Sequence, residues 1–152
     1  YFNVKNPARA MHLVLFEDAL RHLIRIARVL GMPRGSMMLV GVGGSGKQSL
    51  ARLATYINSY SAFQVVITSR YGVNDLKADL QVMYRKAGLK GEGISFIFTD
   101  QQIADERFLV FMNDLLSSGN IPGLFPGEDM DDIINNQQKR KIDLNGIYNS
   151  NN

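Results

Sequence analysis

Residues 41–49 read Gly-Val-Gly-Gly-Ser-Gly-Lys-Gln-Ser, and further along the chain Asp100 closes an apolar run, Phe96-Ile97-Phe98-Thr99. Gly41, Gly43, Gly44 and Gly46 let a backbone turn its N–H groups inward on an anion. A helix starting just after them adds the positive end of its dipole. Lys47 follows at the position from which an ammonium reaches the outer phosphates of a nucleotide, with Ser45 inside the loop and Ser49 just beyond it. A carboxylate at the carboxyl end of a strand, as at Asp100, can hold Mg²⁺, usually through water, beside the β- and γ-phosphates. The chemistry on offer is nucleotide phosphate binding. The plainer alternative, that Asp100 only caps a loop or the next helix, loses force because the glycine loop accompanies it.

Two residues depart from the pattern of an efficient hydrolase. The position after the lysine normally gives Mg²⁺ a hydroxyl ligand, and here it is Gln48. Its amide oxygen could bind the metal directly or through water, but the longer side chain must fold back to do so. Ser49 is no simple substitute, since one step along a helix turns it about 100° away. The position after the strand-end aspartate often carries a glutamate that activates water, and here it is Gln101. Glutamine can orient a water but cannot take its proton. Asp105 and Glu106 lie close by in sequence, but they suit the start of the next helix, where acids favour the dipole.

The elements needed to position these groups are legible. Apolar residues at Phe16, Leu20, Leu23, Ala27 and Leu30 predict a helix over 16–30, ended by Gly31 and Pro33. A strand is predicted over 36–42, with Met37 and Met38 buried in it, followed by the loop and a helix to about 58. Residues 63–68 and 94–100, rich in β-branched and aromatic types, predict two more strands. A helix over 74–87, capped by Asn74, carries Val73, Leu76, Leu80 and Met83 or Tyr84 on one face. Another helix spans 105–116. Strands alternating with helices argue a three-layer α/β fold with a mainly parallel sheet, in which ligands gather at the carboxyl ends of the strands. Beyond Ile121 the pattern fades into Pro122, Gly123, Pro126 and Gly127, with one helical turn expected near 130–135. Residues 136–152 form a polar, asparagine-rich tail with a basic Lys139-Arg140-Lys141 cluster.

Bulk properties set the frame. The chain has 152 residues, 45% hydrophobic and 20% charged, enough for one domain with a real core. A net charge of +3 gives no reason to expect nucleic-acid binding. The absence of cysteine excludes disulfides and cysteine metal sites, and no apolar run reaches the length of a membrane span. The start at Tyr1 suggests a piece of a longer polypeptide. His12 and His22 lack metal-ligand spacing, and Arg70, Arg85 and Arg107 suit surface or ion-pair roles better than phosphate sensing. No Asn-Lys-x-Asp is present, which argues against a guanine-recognition loop.

Taken together, the motifs resemble one family. Val14-Leu15-Phe16-Glu17-Asp18-Ala19-Leu20, Pro33-Arg34-Gly35, the loop through Gln48-Ser49-Leu50, Tyr84-Arg85-Lys86-Ala87-Gly88, Phe98-Thr99-Asp100 and Asn113-Asp114-Leu115-Leu116 are similar to dynein heavy chains. More narrowly, they resemble the fourth AAA+ module of the motor ring, whose phosphate loop itself reads Gly-Lys-Gln-Ser. The match extends over residues 8–135, and the tail departs from it. The resemblance implies a P-loop AAA+ large subdomain without its helical lid, binding ATP or ADP with Mg²⁺. It implies Gly41, Gly43, Gly44, Ser45, Gly46, Lys47, Gln48 and Ser49 at the nucleotide, Val14 and Leu15 at the adenine, Gln48 and Asp100 at the metal, and Asp100 with Gln101 at the reacting phosphate. It further implies one of six ring modules, a regulatory one, in a motor that works on microtubules in the cytoplasm and cytoskeleton, with a cilium or flagellum axoneme favoured. Its partners would be neighbouring AAA+ modules, microtubules and other dynein chains, with neither nucleic acid nor membrane among them.

Three functional readings follow from these residues. The first is a nucleotide-binding regulatory module with weak or no hydrolysis. The second is a competent ATPase that positions water with Gln101. The third is a structural ring module that no longer binds nucleotide.

Overall fold

The structure, a computed structural model, describes residues 16–125 together with Gly127, Asp131 and Asn135. The adenine-pocket expectation at Val14 and Leu15 and the tail over 136–152 lie outside the described residues. Contacts divide the chain into two compact units. The first holds the described residues up to Gln64 together with Gly93–Phe98; the second holds Val65–Glu92 and the described residues from Thr99 onward.

In the first unit, helix α1 (Glu17–Leu30) packs against α2 (Lys47–Ile57). Leu23 and Ile26 of α1 and Ala54 of α2 are buried together, with Ala27, Leu30, Leu39, Leu50 and Leu53 packed around them. The phosphate loop is thus anchored from both sides, through Leu39 before it and Leu50, Leu53 and Ala54 after it. Asn58 ties the two helices, its amide donating to the carbonyls of Ala27 (2.9 Å) and Ala54 (3.1 Å). Gly35 is required by close approach, since a Cβ there would run into the carbonyl oxygen of Val29. The expected face of α1 is only half right. Leu23, Ala27 and Leu30 face the core, but Phe16 and Leu20 are exposed, and Ala19 and Ile26 are buried instead.

Strand β1 (Ser61–Phe63) pairs in parallel with β2 (Ile94–Phe96), in the register Ser61↔Ile94, Ala62↔Ser95 and Phe63↔Phe96. Parallel strands separated in sequence by a helix are the βαβ order expected of an α/β phosphate-loop fold. The strand expected over 36–42 is not formed among the described residues. Met38, Val40 and Val42 are 80–87% exposed, and Met37 is exposed too, so the pair Met37-Met38 is not buried as expected. A strand exists through its ladder, and apolar alternation alone does not create one. The two formed strands are also shorter than the predicted 63–68 and 94–100. The ladder runs on as far as a bond from Ile97 N–H to the Phe63 carbonyl (2.8 Å). Beyond it, a side chain takes over the backbone groups (see below).

Ser95 carries the one buried side-chain oxygen without a hydrogen-bond partner among the described residues. An unsatisfied buried hydroxyl costs about 1–3 kcal/mol, whereas a methyl in the same place costs nothing of the kind. Ser95→Ala is therefore expected to raise stability by about 1 kcal/mol, read as a higher urea midpoint at unchanged slope.

In the second unit, α3 (Val73–Lys90) buries Leu76, Leu80 and Met83, the face anticipated from their spacing. Its N-cap is Gly72 rather than Asn74, and the Asp75 carboxylate accepts from the Gly72 N–H (2.8 Å). The helix also continues past Gly88 to a left-handed Gly91. Helix α4 (Arg107–Ser117) buries Phe108 and Met112, starting two residues later than expected. Tyr71 meets Phe108 edge-on (6.0 Å between centroids) and donates its hydroxyl to Asp79. Tyr84 donates to the Gly119 carbonyl (2.8 Å) and Gln81 to that of Leu124 (2.6 Å), which fastens the loop over 119–125 to α3. Asp131 and Asn135 are helical, in keeping with the turn expected there. No helix among the described residues is long and apolar enough to cross a membrane.

Candidate functional site

Lys47 is the first residue of α2, and the loop before it bends on left-handed glycines at Gly44 (φ 73°) and Gly46 (φ 77°). Any L side chain would be strained at either position. Gly43 has no such requirement, and a Cβ there would meet no protein atom within 4 Å. Nothing in the fold demands glycine at 43. The open space beside its Cα leaves room for a phosphate group to approach the backbone. Gly46 caps α2 without a side chain, leaving the N–H groups of its first turn, which have no intrahelical acceptor, free of a competing side-chain cap.

The ammonium of Lys47 is drawn back into its own loop. It donates to the carbonyls of Gly41 and Val42 (both 2.7 Å) and to Oγ of Ser45 (3.1 Å). A Cβ on Gly41 would stand 3.4 Å from Ser45 Oγ and 3.7 Å from the ammonium nitrogen, ordinary contact distances, so this arrangement does not itself require glycine at 41. The loop is closed by a Ser45 N–H bond to Val42 (3.4 Å), and α2 begins with Leu50 N–H on Gly46 (2.9 Å). Of the residues expected at the nucleotide, Gly41, Ser45 and Lys47 are brought into direct contact. Gln48 is exposed and Ser49 half-buried on the first turn of α2.

Asp100 and Gln101 belong to the other unit, in a short 3₁₀ turn (Asp100–Gln102) after β2, and both are exposed. Exposed carboxylate and amide oxygens are donors of the kind Mg²⁺ takes. Among the described residues no three His, Cys, Asp or Glu side chains cluster as a metal cage. A Mg²⁺ shared with phosphates needs only one or two protein ligands. Asp105 is held differently. Its carboxylate accepts from Nη2 (2.6 Å), Nε and the backbone N–H (2.9 Å) of Arg107, and the guanidinium's hydrogen bonds depress its pKa to about 2. A carboxylate stabilised in its ionised form is a weak base, so Asp105 serves the start of α4 rather than proton transfer. Arg107 is engaged in that ion pair, and Arg85 lies over the ring of Phe125 (5.5 Å).

One residue of this region escaped the sequence reading. Gln102 is buried, and its amide bonds both Thr99 and Val65. The spacing Thr99-x-x-Gln102 is that of a capping box, and this was the available signal.

Comparison with known proteins agrees with the loop. The family model of the P-loop-containing dynein motor region D4 matches residues 11–152. The chain is 60% identical over 126 residues to the alpha chain of the flagellar outer-arm dynein of Chlamydomonas reinhardtii, covering 83% of this chain and 3% of that protein. It is 57% identical over 124 residues to a ciliary dynein beta chain of Tripneustes gratilla, covering 82% of this chain and 3% of that protein. Against axonemal dynein heavy chain 17 of Homo sapiens the identity is 53% over 128 residues, covering 84% and 3%. The chain thus spans only about 3% of the length of these relatives. With a phosphate loop of this geometry and a family match over nearly its whole length, the chain belongs to the P-loop-containing dynein motor region D4 family.

Proposed function

We propose that this chain is the nucleotide-binding part of a regulatory AAA+ module in an axonemal dynein heavy chain, binding ATP or ADP with Mg²⁺ and turning it over slowly or not at all. The observation that carries this reading is the Lys47 ammonium, gathered by three loop oxygens at the head of α2. A cation so placed, beside the N–H groups of an uncapped first turn, is suited to polyphosphate. In this reading residues 41–49 cradle the phosphates, Val14 and Leu15 line the adenine, and Gln48 and Asp100 are the residues that offer oxygens to a metal. Mg²⁺ would supply charge neutralisation between the phosphates, and Gln101 would orient water without taking its proton.

Slow turnover is supported by the chemistry of three positions. Gln48 offers no hydroxyl, Gln101 no carboxylate, and Asp105 is held ionised by Arg107. The names of the relatives, flagellar outer arm and ciliary among them, support a place in the cytoskeleton of a cilium or flagellum. Neighbouring AAA+ modules, other dynein chains and, through the whole motor, microtubules are its partners in this proposal.

Phosphate release from ATP with Mg²⁺ tests the reading. Turnover is expected well below about 1 s⁻¹, the low end of ordinary enzyme rates. Steady turnover at or above that rate, abolished by Gln101→Ala with binding intact, would instead establish a competent ATPase that positions water with Gln101.

A further inference from the structure

Helix α2 opens on Lys47, Gln48 and Ser49, whose backbone N–H groups have no acceptor within the helix; the ladder starts with Leu50 N–H on the Gly46 carbonyl (2.9 Å). Gln48 is exposed, and among the described residues nothing holds its side-chain amide. In a helix the bond from Cα to Cβ tilts toward the N-terminus, so this side chain sets out toward the phosphate loop. The surroundings there are positive. The Lys47 ammonium lies in the loop, the helix dipole adds its positive end, and the first turn of α2 contains no acid.

A carboxamide in that field has two ends, an NH₂ that donates and an oxygen that accepts. A hydrogen bond from the NH₂ to a phosphate oxygen is charge-assisted and tolerates a range of angles. Direct ligation of Mg²⁺ is far more demanding, since it requires near-ideal octahedral geometry and displacement of a tightly held water. A hydroxyl on Cβ meets that demand because the backbone fixes it. The oxygen of Gln48 lies farther out on a flexible chain, with nothing among the described residues to fix it.

We propose that Gln48 is a phosphate-binding residue: its side-chain NH₂ donates to an oxygen of the nucleotide's phosphates, while its oxygen serves a metal only through water. This rests on the proposed nucleotide-binding function and says what one residue of the loop contributes to it. The consequence concerns the metal. With no direct metal ligand at 48, the loop grips phosphates through the donors of its backbone, Lys47 and Gln48, and its hold on a nucleotide is nearly indifferent to Mg²⁺. The departure at 48 exchanges a metal contact for a phosphate contact, which suits a site that retains nucleotide.

The test is the affinity of the full 152-residue chain for ADP, a probe that keeps hydrolysis out of the measurement, titrated calorimetrically with Mg²⁺ and again with excess EDTA. Wild-type affinity is expected to fall less than about threefold when the metal is removed. Gln48→Met keeps the length and the helix propensity without either donor. It is expected to bind ADP about tenfold more weakly in EDTA, the scale of one hydrogen bond to a charged group. Its helix content by circular dichroism should match wild type, because position 48 is exposed. A variant that binds ADP in EDTA as tightly as wild type would overturn the inference, and so would a wild-type loss greater than about threefold on removing Mg²⁺. Should Gln48→Met not fold, the wild-type comparison decides alone. If the wild type binds ADP in neither condition, the underlying function fails and this inference with it; where it binds, both contrary results bear on Gln48 and leave the nucleotide site standing.

Discussion

Lys47→Ala is expected to weaken ATP binding about a hundredfold. An ammonium contributes hydrogen bonds to charged oxygens worth roughly 1.5–3 kcal/mol each, and a hundredfold corresponds to about 3 kcal/mol. The estimate lies at the value of one or two such bonds because the free ammonium is not idle. It already holds the carbonyls of Gly41 and Val42 and the hydroxyl of Ser45, and phosphate oxygens must compete with those neutral acceptors. Charged acceptors win that exchange, as charge-assisted bonds are about twice as strong as neutral ones. The same substitution removes the contacts that draw the loop together, so both preorganisation and charge are lost. Calorimetric titration gives the ratio directly. A change smaller than about threefold, with helix content intact by circular dichroism, would mean that the loop does not meet phosphates through Lys47.

Phe108→Ala is expected to be the most damaging of the conservative core truncations, at about 3–5 kcal/mol. Phe108 is fully buried in the second unit and supports Tyr71 edge-on, and Tyr71 in turn donates to Asp79. Desolvation and the Asp79 bond push the Tyr71 phenol well above its ordinary pKa, so it stays neutral and remains a donor at all physiological pH. Truncation opens a cavity beneath that pair. Since single domains are stable by only about 5–15 kcal/mol, the variant should unfold at much lower urea or temperature. Equilibrium unfolding checks it, and a loss below about 1 kcal/mol would show that the site collapses to fill the space.

Structure dictated by consecutive residues is legible in this sequence, and structure dictated by distant pairing is less so. The phosphate loop was legible because its chemistry is written in consecutive residues: glycines at Gly44 and Gly46 whose φ is positive, then Lys47 opening a helix. The buried face of α3 was legible because Leu76, Leu80 and Met83 form one stripe with no competitor. In α1 two stripes overlap. Leu23, Ala27 and Leu30 belong to both, and nothing local chooses between Phe16 with Leu20 and Ala19 with Ile26. The strands fared worst because pairing is decided by distant backbone. Residues 36–42 have the composition of a strand and no ladder among the described residues, while β2 ends at Phe96, and beyond the last rung the amide of Gln102 bonds Thr99 N–H and the Val65 carbonyl. Apolar patterning does not report on a side-chain amide that imitates a peptide group.

Titration with ATP and Mg²⁺ decides whether this chain binds a nucleotide through residues 41–49. The expected result is saturable one-site binding, accompanied by a melting temperature that rises with ATP concentration, because a ligand that binds only the folded state must stabilise it. No binding heat and no thermal shift at ATP concentrations on the order of millimolar would contradict the account and leave a structural module whose loop no longer holds phosphate.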